Sequence, residues 1–410
     1  MISRQKFKDY HQEFIINPVP CRIDNQRLQR IDMKIAFTQI LALIACALLT
    51  ACGAGSDSAT SSTSSSVVST LAGDSSVTAG GYADGTGTAA LFYGPNGMAV
   101  DSSGNVYVAD QYNRRIRKIT AAGVVTTFAG SGTKEPFTNG TGTAATFANP
   151  IGIAIDSSGN LFVIEEDQQF VVGIFTQFGS TVRKITPAGV VTTFAGSSTT
   201  QGSSDGTGTA ALFTQLAGIA IDSSNNLYVT DRNTCTIRKI TPAAVVTTFA
   251  GTDGTCSSLD GTGTAAMFSY PGPITIDSSG NLYVIDFAGE KIRKITSSGV
   301  VTTFAGTGTQ ENPYANGTGT AASFSAAVGI TVDSSGNLYV TESDRQTIRK
   351  ITSAAVVTTY AGLEDTVGTT DGTLTNARFS RPYGITTDSS GNLYVSDWDQ
   401  GNNNIRKITQ

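Results

Sequence analysis

Six carboxylates stand at one place in six copies of a single phrase. Asp110, Glu165, Asp231, Asp286, Glu342 and Asp397 each close a short apolar run such as Leu227-Tyr-Val-Thr-Asp231. Carboxylate oxygens gathered in a ring can hold Ca²⁺, the one cofactor this chain could be expected to take. The same groups can instead satisfy a turn or pair with the arginine of the run that follows, and this second use is the expected one because the position recurs in every unit. Other chemistry is poorly supplied. The single histidine is His11, and no other follows it. Nucleophilic catalysis by Ser-His-Asp or Cys-His therefore lacks its base beyond the N-terminal segment, and imidazole zinc sites lack their ligands. No catalytic residue is expected.

Positioning these carboxylates is the task of a repeat. The phrase Ile/Val-Arg-Lys-Ile-Thr occurs with its arginine at Arg117, Arg183, Arg238, Arg293, Arg349 and Arg406, at intervals of 66, 55, 55, 56 and 57 residues. Each unit divides into four strand-like pieces, here called a to d. In the third unit they are 218–222, 227–231, 237–241 and 245–249, all rich in β-branched and aromatic residues. Between a and b stands Asp-Ser-Ser-Gly-Asn, starting at Asp101, Asp156, Asp277, Asp333 and Asp388. The third unit has Asp222-Ser-Ser-Asn-Asn226. Glycine takes positive φ freely and asparagine is the next most tolerant, so the exchange predicts a hairpin turn with a left-handed residue.

The units are offset. The repeat begins with a lone d piece at Val67 and ends with a lone c piece at Thr409, so pairing residues 67–73 with the C-terminal strands would complete a sixth set and shut a ring. The expected fold is all-β: a six-bladed β-propeller of four-stranded antiparallel blades over 67–410. The run from Pro150 to Ile185, with Gly-Ile-Ala-x-Asp-Ser-Ser-Gly-Asn-Leu-Phe-Val, and its counterparts resemble NHL repeats. That resemblance implies a central channel lined by the a strands, whose Ala99, Ala154, Ala220, Thr275, Thr331 and Thr386 are small enough for a crowded axis. It does not extend to the amidating lyases that share this propeller type, because those hold zinc through histidines. Lactonase-like propellers hold Ca²⁺ on a few unequal residues, unlike the uniform set here.

Ahead of the repeat, residues 33–52 read MKIAFTQILALIACALLTAC: a lysine, an apolar run short for a membrane span, then Leu49-Thr50-Ala51-Cys52. This resembles a bacterial lipoprotein signal peptide, which implies lipidation of Cys52. An ordinary cleaved signal or an anchor helix is the alternative. Met33 makes a better start than Met1, so residues 1–32 are expected to be an over-extended reading frame or an unusually long leader. The domain reading is 1–52 extension and signal, 53–66 Ser-rich tether with no large apolar residue, and 67–410 propeller. The expected location is the bacterial cell envelope, at the outer membrane or cell surface, with membrane contact through the lipid only.

Residues 1–52 hold 7 of the 27 Lys and Arg and 4 of the 32 Asp and Glu, which leaves 20 basic against 28 acidic residues. In so acidic a body the Arg-Lys pairs, spread evenly, are expected to be solvated strand positions and to bind no nucleic acid. The loop Asp-Gly-Thr-Gly-Thr-Ala-Ala, from Asp84, Asp205 and Asp260 with Asn139 and Asn316 as variants, lacks the lysine of a phosphate loop and is expected to form turns. Cys235 in a b–c turn and Cys256 in the next d–a loop fall on one face, and a disulfide is favoured over two free thiols.

Departures from the repeat point to contacts. The largest is the insertion 167–179 in the second b–c turn, with Phe170, Val172, Phe175 and Phe178 as interaction candidates. The alternative is a hairpin packed on its neighbour. Lys134–Thr138, Gln310–Ala315 and Leu363–Thr370 vary on the same face. The expected function is a non-enzymatic, envelope-anchored binding or scaffold role, monomeric, with an unknown protein or small ligand on the b–c and d–a loop face. The alternative is a Ca²⁺-dependent, lactonase-like hydrolase at the channel mouth.

Overall fold

A computed structural model describes residues 66–410 apart from 78–79, 134–136, 172–173, 309–313 and 400–401, and describes no side chains over 167–178. Cys52, the signal segment and 53–65 lie outside the described residues, as does Val172.

Six antiparallel sheets form the body, and in each the chain order runs from an inner strand a outward through b, c and d. In the third blade these are Leu216–Ile221, Leu227–Asp231, Thr236–Ile240 and Val245–Ala250. Each blade has five strands where four were expected. The fifth is a Gly-Thr pair from the d–a loop, such as Gly206–Thr207, which lies antiparallel against d. The loop that looked like a simple turn thus adds a short outer edge to its blade.

The a–b hairpins form as their sequence dictates. Asp101 Oδ1 accepts from the Ser103 and Asn105 backbone N–H at 2.9 Å each, and Oδ2 accepts from Asn105 Nδ2 at 2.8 Å. Gly104 sits at φ 78°, and its counterpart Asn225 at φ 60°.

The ring closes on its termini. Val67–Ala72 pairs antiparallel with Asn402–Thr409, with Val67 opposite Thr409, Val68 opposite Ile408 and Ser69 opposite Lys407. It therefore serves as strand d of the sixth blade, beside Leu393–Asp399 and Pro382–Thr387. Each apolar cluster lies between adjacent blades. Phe213, Leu216 and Val229 of the third blade pack on Phe162, Ile164 and Val182 of the second, and Ala72 and Ile405 pack on Phe92 and Met98 across the closure. Full burial of one such phenylalanine stabilises the body by roughly 2 to 3 kcal/mol. The channel between the a strands is lined by Ala99, Ala154, Ala220, Thr275, Thr331 and Thr386 among others.

Candidate functional site

The repeated arginines correct the sequence reading. All six are 2% exposed or less, so they are core groups and not solvated strand positions. Neighbouring blades cover both faces of each sheet, and strand alternation therefore does not bring every second residue to water. Arg293 shows the pattern. Its guanidinium donates to Asp286 at 2.9 Å, Ser258 Oγ at 3.1 Å, the Met267 carbonyl at 3.1 Å and Asp260 at 2.8 Å, and it stands over the Phe268 ring at 5.4 Å.

The six strand-ending carboxylates are the inner partners of these arginines. Asp110, Glu165, Asp286, Glu342 and Asp397 lie 2.7–3.4 Å from Arg117, Arg183, Arg293, Arg349 and Arg406, and Asp231 lies 4.0 Å from Arg238. Each also receives a backbone N–H or hydroxyl of its own blade, as Asp110 does from Tyr93 at 2.8 Å. Burial pushes Asp110 and Asp397 up to about 6 against the pull of their arginines. Asp231 and Glu342 are raised for the same reason. The d–a loop supplies the outer partner: Asp84, Asp205, Asp260 and Asp371 contact the second guanidinium nitrogen at 2.6–2.8 Å. Where the loop carries Asn139 or Asn316, the amide Oδ1 accepts at 3.1 or 2.9 Å instead, so the exchange keeps the acceptor and drops the charge.

One residue beyond each carboxylate, the uniformity ends. Gln111, Glu166, Arg232, Phe287, Ser343 and Trp398 follow the six carboxylates, and all six line one cavity of about 450 Å³ where the channel opens on the b–c face. The second residue of strand a differs in every blade as well: Asn96, Ile151, Ala217, Gly272, Val328 and Tyr383. So does the residue before strand a, where Gln215, Ala326 and Arg381 join the lining. Asn96 donates through Nδ2 to Gln111 Oε1 at 3.0 Å. Arg381 approaches Asp344 at 3.9 Å on the rim. Arg232 stands 5.7 Å from the Phe287 ring. Burial raises the Tyr383 hydroxyl, and Arg232 and Arg381 act against that rise, so it stays protonated at neutral pH.

These mouth positions were missed in the sequence, although the signal was present. Aligning the six units shows three columns with no residue used twice, beside columns with no variation at all. The insertion itself extends strands b and c of the second blade into a longer hairpin, Leu161–Val171 with Ile174–Ile185, in which Phe170 pairs with Phe175. The side chains of Phe170, Phe175 and Phe178 lie outside the described residues. Cys235 and Cys256 form a disulfide with a Cα separation of 5.4 Å, tying the turn after Arg232 to the next d–a loop.

The NHL repeat family matches residues 92–119 and 213–240. Suppressor of Quenching 1, a chloroplast protein of Arabidopsis thaliana, is 34% identical over 89 residues, which are 22% of this chain and 8% of that protein. The chain thus spans less than a tenth of that relative's length. A Bacteroides thetaiotaomicron protein of unknown function has a similar fold, with TM-score 0.63 and 22% identity over 84% of this chain and 76% of its own. An auxiliary nutrient binding protein from Bacteroides ovatus gives TM-score 0.59 and 17% identity over the same shares. With NHL repeats at 92–119 and 213–240 and six sheets shut into a ring, the chain is a six-bladed β-propeller that carries NHL repeats.

Proposed function

We propose that the chain is a non-enzymatic binding module, tethered at the bacterial cell envelope by a lipid on Cys52, that receives a ligand in the mouth of its propeller. One observation carries this reading: a repeat position that differs in all six blades lines a single cavity from every blade, joined by residues of two further such positions, and the volume suits a small ligand. The fold alone asks for no such diversity, since the strand positions next to these, such as the Arg-Lys-Ile of strand c, are the same in all six blades. The likeness in fold to a nutrient binding protein agrees with it. The carboxylates that a Ca²⁺-dependent hydrolase would need are each engaged by a buried guanidinium, which favours binding over that chemistry. The insertion 167–179 after Glu166, with Phe170, Val172, Phe175 and Phe178, would supply a second contact.

The test is capture of low-mass molecules from envelope extract by the full chain, read by mass spectrometry. A ligand held by the native chain and lost from Arg232→Ala and Phe287→Ala is the expected result. An unchanged set of captured molecules would remove the mouth from consideration. Replacing 168–178 by Asn-Gly tests the second contact in the same assay. Cys52→Ser is expected to release the chain from the membrane fraction.

A further inference from the structure

Four aromatic rings form a continuous track from the loop rim into the mouth. Tyr93 and Tyr112 lie with centroids 4.9 Å apart, Tyr112 meets Trp398 edge to face at 5.9 Å, and Trp398 lies 5.6 Å from Tyr383. The outer two are 44% and 43% exposed, and the inner two line the cavity. Among the described residues, Trp398 Nε1 has no hydrogen-bond partner although the atom is buried. The rings meet at interplanar angles of 53–83°, so a ligand that carries apolar patches at short intervals would meet ring edges and faces in turn.

Several ligand classes fit aromatic tracks, and the rest of the lining separates them. Single-stranded nucleic acid needs a positive groove, but Arg232 and Arg381 are balanced here by Glu166 and Asp344 on an acidic body. A quaternary ammonium would meet two guanidinium groups beside Tyr383. A proline-rich peptide offers backbone carbonyl acceptors, which suit Trp398 Nε1 but would face the carboxylates of Glu166 and Asp344 without a proton to share. A sugar differs on this point. Each hydroxyl both donates and accepts, so carboxylates, amides and guanidinium groups on one wall can all be satisfied together. The amides of Asn96 and Gln111 bond to each other through one atom each, and the Gln111 NH₂ and the Asn96 side-chain carbonyl take no part in that bond.

We propose that the mouth takes a neutral oligosaccharide, whose successive rings lie along Tyr93, Tyr112, Trp398 and Tyr383 while its hydroxyls meet the polar wall. The proposal rests on the reading of the mouth as a binding site. Trp398 is the only tryptophan of the chain, so its fluorescence reports occupancy directly.

The experiment is an array of neutral and acidic glycans probed with the full chain, followed by fluorescence titration of the best binder as hexasaccharide and as disaccharide. The expected result is saturable binding of a neutral glycan, with the hexasaccharide at least tenfold tighter than the disaccharide. Tyr93→Ala is expected to remove that advantage. On the array, Trp398→Ala is expected to abolish binding while its melting temperature stays near that of the native chain. Binding of no glycan, equal binding by Trp398→Ala, or binding of a proline decamer in place of any glycan would overturn the proposal. If a non-carbohydrate ligand were then captured and lost from Arg232→Ala, the mouth would remain a binding site for another class. If nothing captured depended on Arg232, both readings would fall.

Discussion

Replacing Arg293 by methionine separates a structural arginine from a solvated one. Methionine is apolar and of similar length, so much of the packing over Phe268 is kept while four donated hydrogen bonds are lost. Asp286, wholly buried, keeps its Ser258 and Ser269 contacts but loses its counter-charge. Removing one partner of a buried pair costs about 3 to 5 kcal/mol, while the Met267 carbonyl keeps the Leu259 N–H at 3.1 Å and adds little. The expected loss is about 4 kcal/mol, a large share of the stability of an ordinary domain. The assay is urea unfolding followed by Trp398 fluorescence and circular dichroism. Adding Asp286→Asn removes the stranded charge and is expected to return about half of the loss, which identifies the charge as its source. A loss below about 1 kcal/mol, the range of exposed ion pairs, would refute the reasoning.

Other outcomes follow from the same geometry. Asp110 and Asp397 titrate near 6 in the fold against 3.8 in the open chain, so between those values the folded state holds protons that the unfolded state has released. Stability, and with it the melting temperature, is therefore expected to rise as pH falls from 7 toward 5, the unfolding free energy by up to about 1.4 kcal/mol per pH unit and group. Below about pH 4 it should fall again, because Asp101, where hydrogen bonds from Asn105 and Ser103 outweigh partial burial, loses its contribution. A steady decline from pH 7 to 5 would contradict this. Cys235→Ser with Cys256→Ser opens a cross-link of separation 21 and is expected to cost about 3 kcal/mol in calorimetry; an unchanged midpoint would count against it. Ala244 stands at φ 60° where Gly123 and Gly299 fill the same c–d turn, so Ala244→Gly is expected to raise stability by roughly 0.5 to 1 kcal/mol, and a loss would contradict the strain.

Hairpins and closure were legible because they rest on local chemistry and on counting. Asp-Ser-Ser-Gly-Asn names its own turn, and a d piece without a blade at Val67 matches a blade without a d piece at Thr409. The Arg-Lys pairs were misread for a reason of geometry. Adjacent residues on a strand point to opposite faces, and in an exposed sheet the charged pair would be read as solvated. In a propeller the neighbouring blades bury Arg117 whole while Lys118 runs its ammonium over Tyr107 at 5.5 Å toward the surface. The Asp84 and Asp260 loops looked like turns because the partner that gives them their role lies more than thirty residues on, in strand c. The mouth was hidden for the opposite reason. Its residues form no motif, since their mark is that Gln111, Arg232, Phe287 and Trp398 have nothing in common except their place in the repeat.

That mouth exists only if the ring is shut by its own ends, and hydrogen exchange of the segment 66–73 tests this most directly. In a closed ring the amides of Val67–Ala72 that bond to Asn402–Thr409 should exchange only as the whole body unfolds, as slowly as those of the interior strand Leu227–Asp231. Exchange of 66–73 at the rate of an unstructured peptide, while Leu227–Asp231 stays protected, would mean that the sixth blade is not completed this way.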